Sequence, residues 1–265
     1  TLSGRTFVAA RSPGRSAALA RALRDTSGAV YEESAWARVV AVSESATVTT
    51  TLPGEDGGPH TLARGESLLF EVRESFVVSA EGEDDRIAVV SVIAGQSAVG
   101  LPFALPGGDP SMSALVPVER YAFEHVVATP EGFPFDFITV VSAASASVWI
   151  DDELVEDRLG PDGERACSVE SLGLTFVHRC QLSFPDVIGP PHLTIEPGTQ
   201  RDGRHVVRGT APVGVVLTGF GTAVAASFVA FQSAGSSQSE VTSMSTRRSG
   251  RAARCDSKAA SATSM

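Results

Sequence analysis

Short runs of β-branched and apolar residues, each ended by a turn signal, constrain the fold of this chain more than any other feature. In the first third these runs are Val39 to Val42, Ala46 to Leu52, Leu68 to Val72, Phe76 to Ala80 and Ile87 to Ile93. Strands that reverse at this spacing are typical of sandwiches and barrels, because each strand crosses a thin core and returns. We expect a mainly β, antiparallel protein with one short N-terminal helix, from Ser16 to Arg24.

The two halves of the chain share a pattern. The run from Val39 to Val48 resembles Ile138 to Val148, and Arg86 to Val92 resembles Pro212 to Thr218, in the same order. Such a duplication predicts two related antiparallel β-sandwich units in tandem. We place the first unit at residues 1–107 and the second at residues 108–231, where an insertion carries two cysteines.

The segment from Gly108 to Tyr121 connects the two predicted units. Pro110 and Pro117 fix their own φ angles and favour extended conformations in the residues before them. We therefore predict a rigid, largely irregular strap. Met112, Leu115 and Val118 are the side chains expected to pin it to the sheets.

The last residues, 232–265, differ from the rest of the chain. They are rich in Ser, Ala and Arg, and this composition predicts a disordered tail. The tail contains five basic and two acidic residues, which is a charge of +3. Since the net charge of the whole chain is −10, residues 1–231 carry a charge of −13. Because an acidic surface repels phosphate groups, nucleic acid is not an expected partner. No apolar run is long enough to span a bilayer, and the sequence alone leaves open whether a signal peptide preceded Thr1.

Two of the three cysteines bracket a predicted hairpin. Cys167 and Cys180 flank a segment that contains Gly173 and then alternating residues, whereas Cys255 lies in the tail. We favour a Cys167 to Cys180 disulfide, which would imply an oxidising compartment. The alternative is a pair of reduced, buried thiols. A zinc site is not expected, because no CxxC pair or spaced pair of histidines accompanies them.

Motifs of common enzymes are missing from the sequence. It contains no GxSxG elbow, no phosphate-binding GxxxxGK[ST] loop and no HExxH helix, and Gly219-Phe220-Gly221 lacks the third glycine of a dinucleotide fingerprint. We expect no enzyme activity, no cofactor and no metal. A Ser/His/Asp arrangement assembled in space remains an alternative. The acidic clusters at Glu81 to Asp85 and Asp151 to Asp157 favour solvated turns, with calcium binding as the other interpretation.

Three segments resemble one protein family. They are Gly108-Asp109-Pro110-Ser111-Met112 with Pro117-Val118-Glu119-Arg120-Tyr121, then Phe133 to Asp152, and then Gly203 to Gly221. This pattern resembles the N-terminal domain of the IgGFc-binding protein family over about Thr47 to Phe231. Arg120, Ala143 and Leu217-Thr218 depart from the family's usual residues. The resemblance implies an extracellular or cell-surface adhesive module, with immunoglobulin Fc as the partner that the family name suggests.

Three function classes follow from these observations. The first is an adhesion or recognition module that binds an extracellular protein or glycan through an edge strand or loops. The others are a structural spacer without its own ligand and a β-rich hydrolase. The predicted contact residues are Phe103, Asp109, Met112, Glu131, Phe133 and Phe135. Trp149 lies in an apolar triplet, Val148-Trp149-Ile150, and is expected in the core.

Overall fold

The computed structural model describes residues 2–23, 33, 35–98, 100, 106–129, 131–188, 194–221, 224–232 and 239–241. The first half contains helix α1 (Arg15–Ala22) and strands β1 (Thr6–Ala9), β2 (Ala35–Ala41), β3 (Ser45–Thr50), β4 (His60–Ala63), β5 (Ser67–Val72), β6 (Phe76–Ala80), β7 (Ile87–Ile93) and β8 (Ser111–Ala114). The second half contains β9 (Ala122–Thr129), β10 (Phe135–Ala143), β11 (Val148–Ile150), β12 (Glu153–Leu154), β13 (Cys167–Leu172), β14 (Thr175–Gln181), β15 (Phe184–Ile188), β16 (Thr194–Thr199), β17 (Gly203–Gly221), β18 (Val224–Gln232) and β19 (Ser239–Val241).

The first sandwich consists of two four-stranded antiparallel sheets. Sheet A has the strand order β5-β2-β7-β8, and sheet B has the order β1-β6-β3-β4. Alternate residues of β2, from Ala35 to Ala41, point inwards and are buried. They meet Phe7, Val48 and Phe76 of sheet B in one core.

The second sandwich is built around a single long strand. The first part of β17 pairs with β9 and β11, and β11 pairs with β12, which gives sheet C. The last part of β17 pairs with β10 and β18, and sheet D continues from β10 to β14 and β13. The register of β17 shifts between Arg208 and Val213, where the strand passes from one sheet to the other. Ile138, Val207 and Leu217 lie in the core between the sheets.

The two sandwiches have the same strand order. Sheet C corresponds to sheet B: the order β9-β17-β11-β12 matches β1-β6-β3-β4. Sheet D corresponds to sheet A: the order β14-β10-β17-β18 matches β5-β2-β7-β8. Thus the two halves of β17 take the places of β6 and β7. The predicted mainly β fold with two related tandem sandwiches is confirmed. Strand β8 follows the predicted boundary at residue 107 but pairs with β7 of the first sandwich.

The two sandwiches pack against each other through apolar side chains. Val8 points away from the first core, because its neighbours Phe7 and Ala9 point into that core. On the outer side of sheet B, Val8 and Val77 contact Val141 and Val177 of sheet D. Helix α1 adds a second contact, with Ala18 and Leu19 beside Phe135, Phe137 and Phe220. The sheets therefore follow one another in the order A, B, D, C.

Three sequence predictions need correction. Met112 is 62% exposed and Val118 is 37% exposed, so of the three predicted side chains only Leu115 is buried in a core. Ser111–Ala114 is a strand. Trp149 is half-buried rather than in the core, because Val148 and Ile150 occupy the inward face of β11. Within the predicted tail, Ser239–Val241 pairs with β18, and residues 233–238 and 242–265 lie outside the described part.

Candidate binding surfaces

The predicted contact residues do not form one surface. Asp109, Met112 and Glu131 are exposed, and Phe133 is half-buried. Phe135 is fully buried, so its predicted role in binding is wrong. Phe103 lies outside the described residues.

Phe135 is buried because its side of sheet D is covered. Side chains at odd positions of β10, such as Phe135 and Phe137, point away from the core that holds Ile138. In an isolated sandwich this face would contact solvent, and loop residues beside it would be plausible ligand contacts. Here α1 and the first sandwich lie on it.

The outer side of sheet A carries partly exposed apolar side chains, and we call it the open face; at one end of it, Trp36 packs against the cluster that contains α1. Opposite residues on neighbouring strands form two rows across it, Leu69-Arg38-Val90-Ala114 and Glu71-Trp36-Val92-Met112. Leu69 is 58% exposed, and the valines and Trp36 are half-buried. Arg38 and Glu71 are the charged members of these rows. An exposed apolar patch of this kind is typical of an interaction surface.

The open face has an equivalent in the second sandwich. Strands β14, β10, β17 and β18 of sheet D take the places of β5, β2, β7 and β8 of sheet A. The outward residues of β10 in sheet D are buried against the first sandwich. One copy of the repeated face is therefore already a protein contact.

Of the residues on the open face, Met112 was predicted from the sequence as a contact residue and its neighbours were not. Runs such as Leu68-Leu69-Phe70 do carry a signal for this face, because consecutive apolar residues place one side chain on each face of a strand. Such runs predict strands but not which strands are neighbours. The pairing of β5, β2, β7 and β8 shows which outward residues lie side by side.

The predicted disulfide is present at the edge of sheet D. Cys167 of β13 lies directly opposite Cys180 of β14, and the two sulfur atoms are bonded. The turn between these strands is Gly173-Leu174, and Gly173 has a φ of +66°. A positive φ at the first turn residue favours glycine and gives the tight reversal that sets this register.

The first three residues of the acidic cluster after β11 contact basic side chains. Asp151 contacts His205, Asp152 contacts Arg208, and Glu153 contacts Arg158 and Arg201. Asp151 and Asp152 have positive φ angles of 53° and 63°, as a two-residue hairpin turn requires. In the described residues, no group of three or more His, Cys, Asp or Glu side chains has an arrangement that could hold a metal ion.

His205 lies between a carboxylate and a hydroxyl group. Its Nδ1 is 2.7 Å from Asp151 Oδ2, and its Nε2 is 3.2 Å from Thr129 Oγ1 and 2.9 Å from the carbonyl oxygen of Arg201. His205 and Thr129 are only 3% and 4% exposed, so neither side chain is open to a substrate. The arrangement instead ties the start of β17 to β9 and β11.

Comparison with known proteins gives one match. A family model described as IgGFc binding protein matches residues 3–219. The match begins before the resemblance noted in the sequence and includes β1 and α1. No curated protein and no solved structure matches the chain significantly. Among the described helices, none is long and apolar enough to cross a membrane.

Proposed function

Because the chain belongs to the IgGFc binding protein family, we propose that it is an extracellular or cell-surface recognition module that binds a protein partner on the open face. The observation that carries this proposal is the set of apolar side chains in the two rows across the open face of sheet A. The disulfide between Cys167 and Cys180 supports an oxidising compartment. Immunoglobulin Fc is the first partner to test, because the family description names it.

The composition of the open face favours a protein over a glycan. Leu69, Val90, Val92 and Met112 offer no hydrogen-bonding groups for sugar hydroxyls, whereas apolar and aromatic side chains form the centres of protein interfaces. The equivalent side of sheet D packs against protein within the same chain. Asp109, exposed in the loop before β8, can contribute at the margin.

A spacer role is the second candidate, and it is supported by the apolar contact between the sandwiches. A chain whose two units form one rigid body suits the separation of other domains. The hydrolase interpretation has less support, because His205 and its neighbour Thr129 are both buried. Binding assays distinguish the first two roles, since a spacer has no saturable ligand.

The test is surface plasmon resonance against immobilised Fc and an array of extracellular proteins and glycans. In the double variant Leu69→Ser/Met112→Ser, we expect affinity for the protein ligand to fall by about tenfold to a hundredfold, because two exposed apolar anchors are lost. Leu174→Ser is the matched control: Leu174 is 87% exposed at the tip of the β13–β14 hairpin, far along the chain from sheet A. Failure to find any saturable ligand would favour the spacer role. Equal losses in the variant and its control would exclude the open face.

A further inference from the structure

A polar groove of 660 Å³ lies where α1 and the two sandwiches meet. The segment before α1 and the helix itself form one wall, and the β13–β14 hairpin with its disulfide forms another. The turn between β5 and β6 contributes Arg73 and Glu74. Because the walls come from both sandwiches, the groove exists only when the two sandwiches are packed against each other. Its volume is in the range of small-ligand clefts.

Five arginines line this groove: Arg11, Arg21, Arg73, Arg165 and Arg179. The lining carboxylates are Glu74 and Glu170, so the lining has a positive charge on a chain that is acidic overall. A charge distribution of this kind attracts anions to the groove and repels them from the remaining surface.

The arginines divide into two groups by their partners. Arg179 contacts Glu170, and Arg21 contacts Asp162, so both have carboxylate partners. Arg73 has Glu71 at 3.3 Å in an exposed setting. Arg165 donates to the carbonyl oxygen of Glu156, and neither it nor Arg11 forms an ion pair with a described residue. Their guanidinium groups are able to bind an external anion.

We propose that this groove binds an acidic saccharide, whose carboxylate or sulfate group is held by Arg11 and Arg165. Arginine matches both anions, because its planar fork can donate two parallel hydrogen bonds. Ser12, Ser168 and Gln181 give the lining a hydroxyl and amide character that suits sugar hydroxyls, and Phe137 is the one large apolar side chain in it. An acidic peptide with apolar anchors fits this lining less well.

The test is isothermal titration calorimetry of the full chain with three oligosaccharides of equal length: sulfated, carboxylated and neutral. We expect the acidic forms to bind, with affinity that falls as salt concentration rises, and the neutral form not to bind. A stronger response to one acidic form identifies whether sulfate or carboxylate is preferred. The double variant Arg11→Gln/Arg165→Gln should weaken binding by at least about tenfold. The control Arg64→Gln/Arg120→Gln removes the same charge from two exposed positions and should bind normally.

Several outcomes would overturn the proposal. They are binding of the neutral saccharide with equal affinity, no binding of either acidic form, equal losses in the two double variants, and tighter binding of an acidic peptide. The Leu69→Ser/Met112→Ser variant should bind the saccharide normally, so this site and the open face are tested separately.

Discussion

Asp136 is a buried carboxyl group at the start of β10, and it gives the protein a pH dependence of unusual sign. It is 1% exposed, and Ser183 Oγ donates to its Oδ2 at 3.1 Å. Burial raises the pKa of Asp136 from 3.8 to about 7, with a smaller contribution from the negative charge of Asp202 and against the hydrogen bond from Ser183. The folded state therefore holds this proton more tightly than the unfolded state does. Stability is greatest below the unfolded pKa and falls as pH rises through the folded pKa.

This titration predicts a difference between the wild type and Asp136→Asn. Between pH 5 and pH 8 the free energy of unfolding of the wild type should fall by about 2 to 3 kcal/mol more than that of the variant, because asparagine does not ionise. Urea denaturation of both proteins at the two pH values measures the difference. Parallel pH profiles would show that Asp136 ionises normally in the folded protein.

Single residues also show where sequence reasoning succeeds and fails. The pairing of Cys167 with Cys180 was predictable, because a hairpin and its turn are local features. The burial of Phe135 and the partial exposure of Trp149 were not. Each depends on which face of a strand is covered, and in sheet D the cover comes from residues more than a hundred positions earlier in the chain.

At the scale of elements, α1 is fixed by a buried ion pair. Arg15 is fully buried, and its Nε lies 3.0 Å from Glu33 Oε2. Its Nη atoms donate to the carbonyl oxygens of Ala94 and Gly107 at 2.6 Å, and its guanidinium group lies over the ring of Phe220. Desolvation lowers the pKa of Arg15 and raises that of Glu33, opposed by their mutual attraction. The pair thus joins the helix to the segment between β7 and β8 and to the second sandwich.

Removal of both partners should cost less than the sum of the two single removals. Glu33→Gln leaves a buried cation without its counter-charge, and we expect a loss of about 3 to 5 kcal/mol. Arg15→Met should have a loss of similar size, because it leaves the Glu33 carboxylate buried and unpaired. In a double-mutant cycle by urea denaturation, the combined variant should lose clearly less than the sum. Additive losses would mean that the two charges act independently.

The elements themselves were predicted with uneven success. Strands β6 and β7 have the predicted bounds, and α1 ends two residues before the predicted Arg24. Composition did not reveal that β17 continues for 19 residues through both sheets. Arg86–Val92 resembles Pro212–Thr218 in sequence, but the turn that separates β6 from β7 has no counterpart in β17. A turn replaced by a shift in register leaves no Pro-Gly signal in the sequence.

For the whole molecule, the contact between sheets B and D decides whether the sandwiches behave as one body. Val8 and Val141 are 6% and 4% exposed at this contact, and Val177 is fully buried. Such side chains would be exposed to water if the sandwiches separated. The sequence favoured two halves held by a strap, because each half shows its own strand pattern but not its docking surface. The apolar contact instead predicts that they unfold together.

Differential scanning calorimetry should therefore show one transition for the wild type, with equal calorimetric and van't Hoff enthalpies.

Val8→Asp places an unpaired carboxylate between the sheets, where water can reach it only if the two sandwiches separate. Because Val8 points away from the first core, this change should weaken docking more than folding of the first sandwich, and the single transition should become two. Val42→Asp is the matched control, since Val42 is 42% exposed just after β2, and it should keep a single transition near the wild-type temperature. Two transitions in the wild type would show that the sandwiches are thermodynamically independent. They would also predict that the arginine-lined groove, which needs both of them, is lost when either one unfolds.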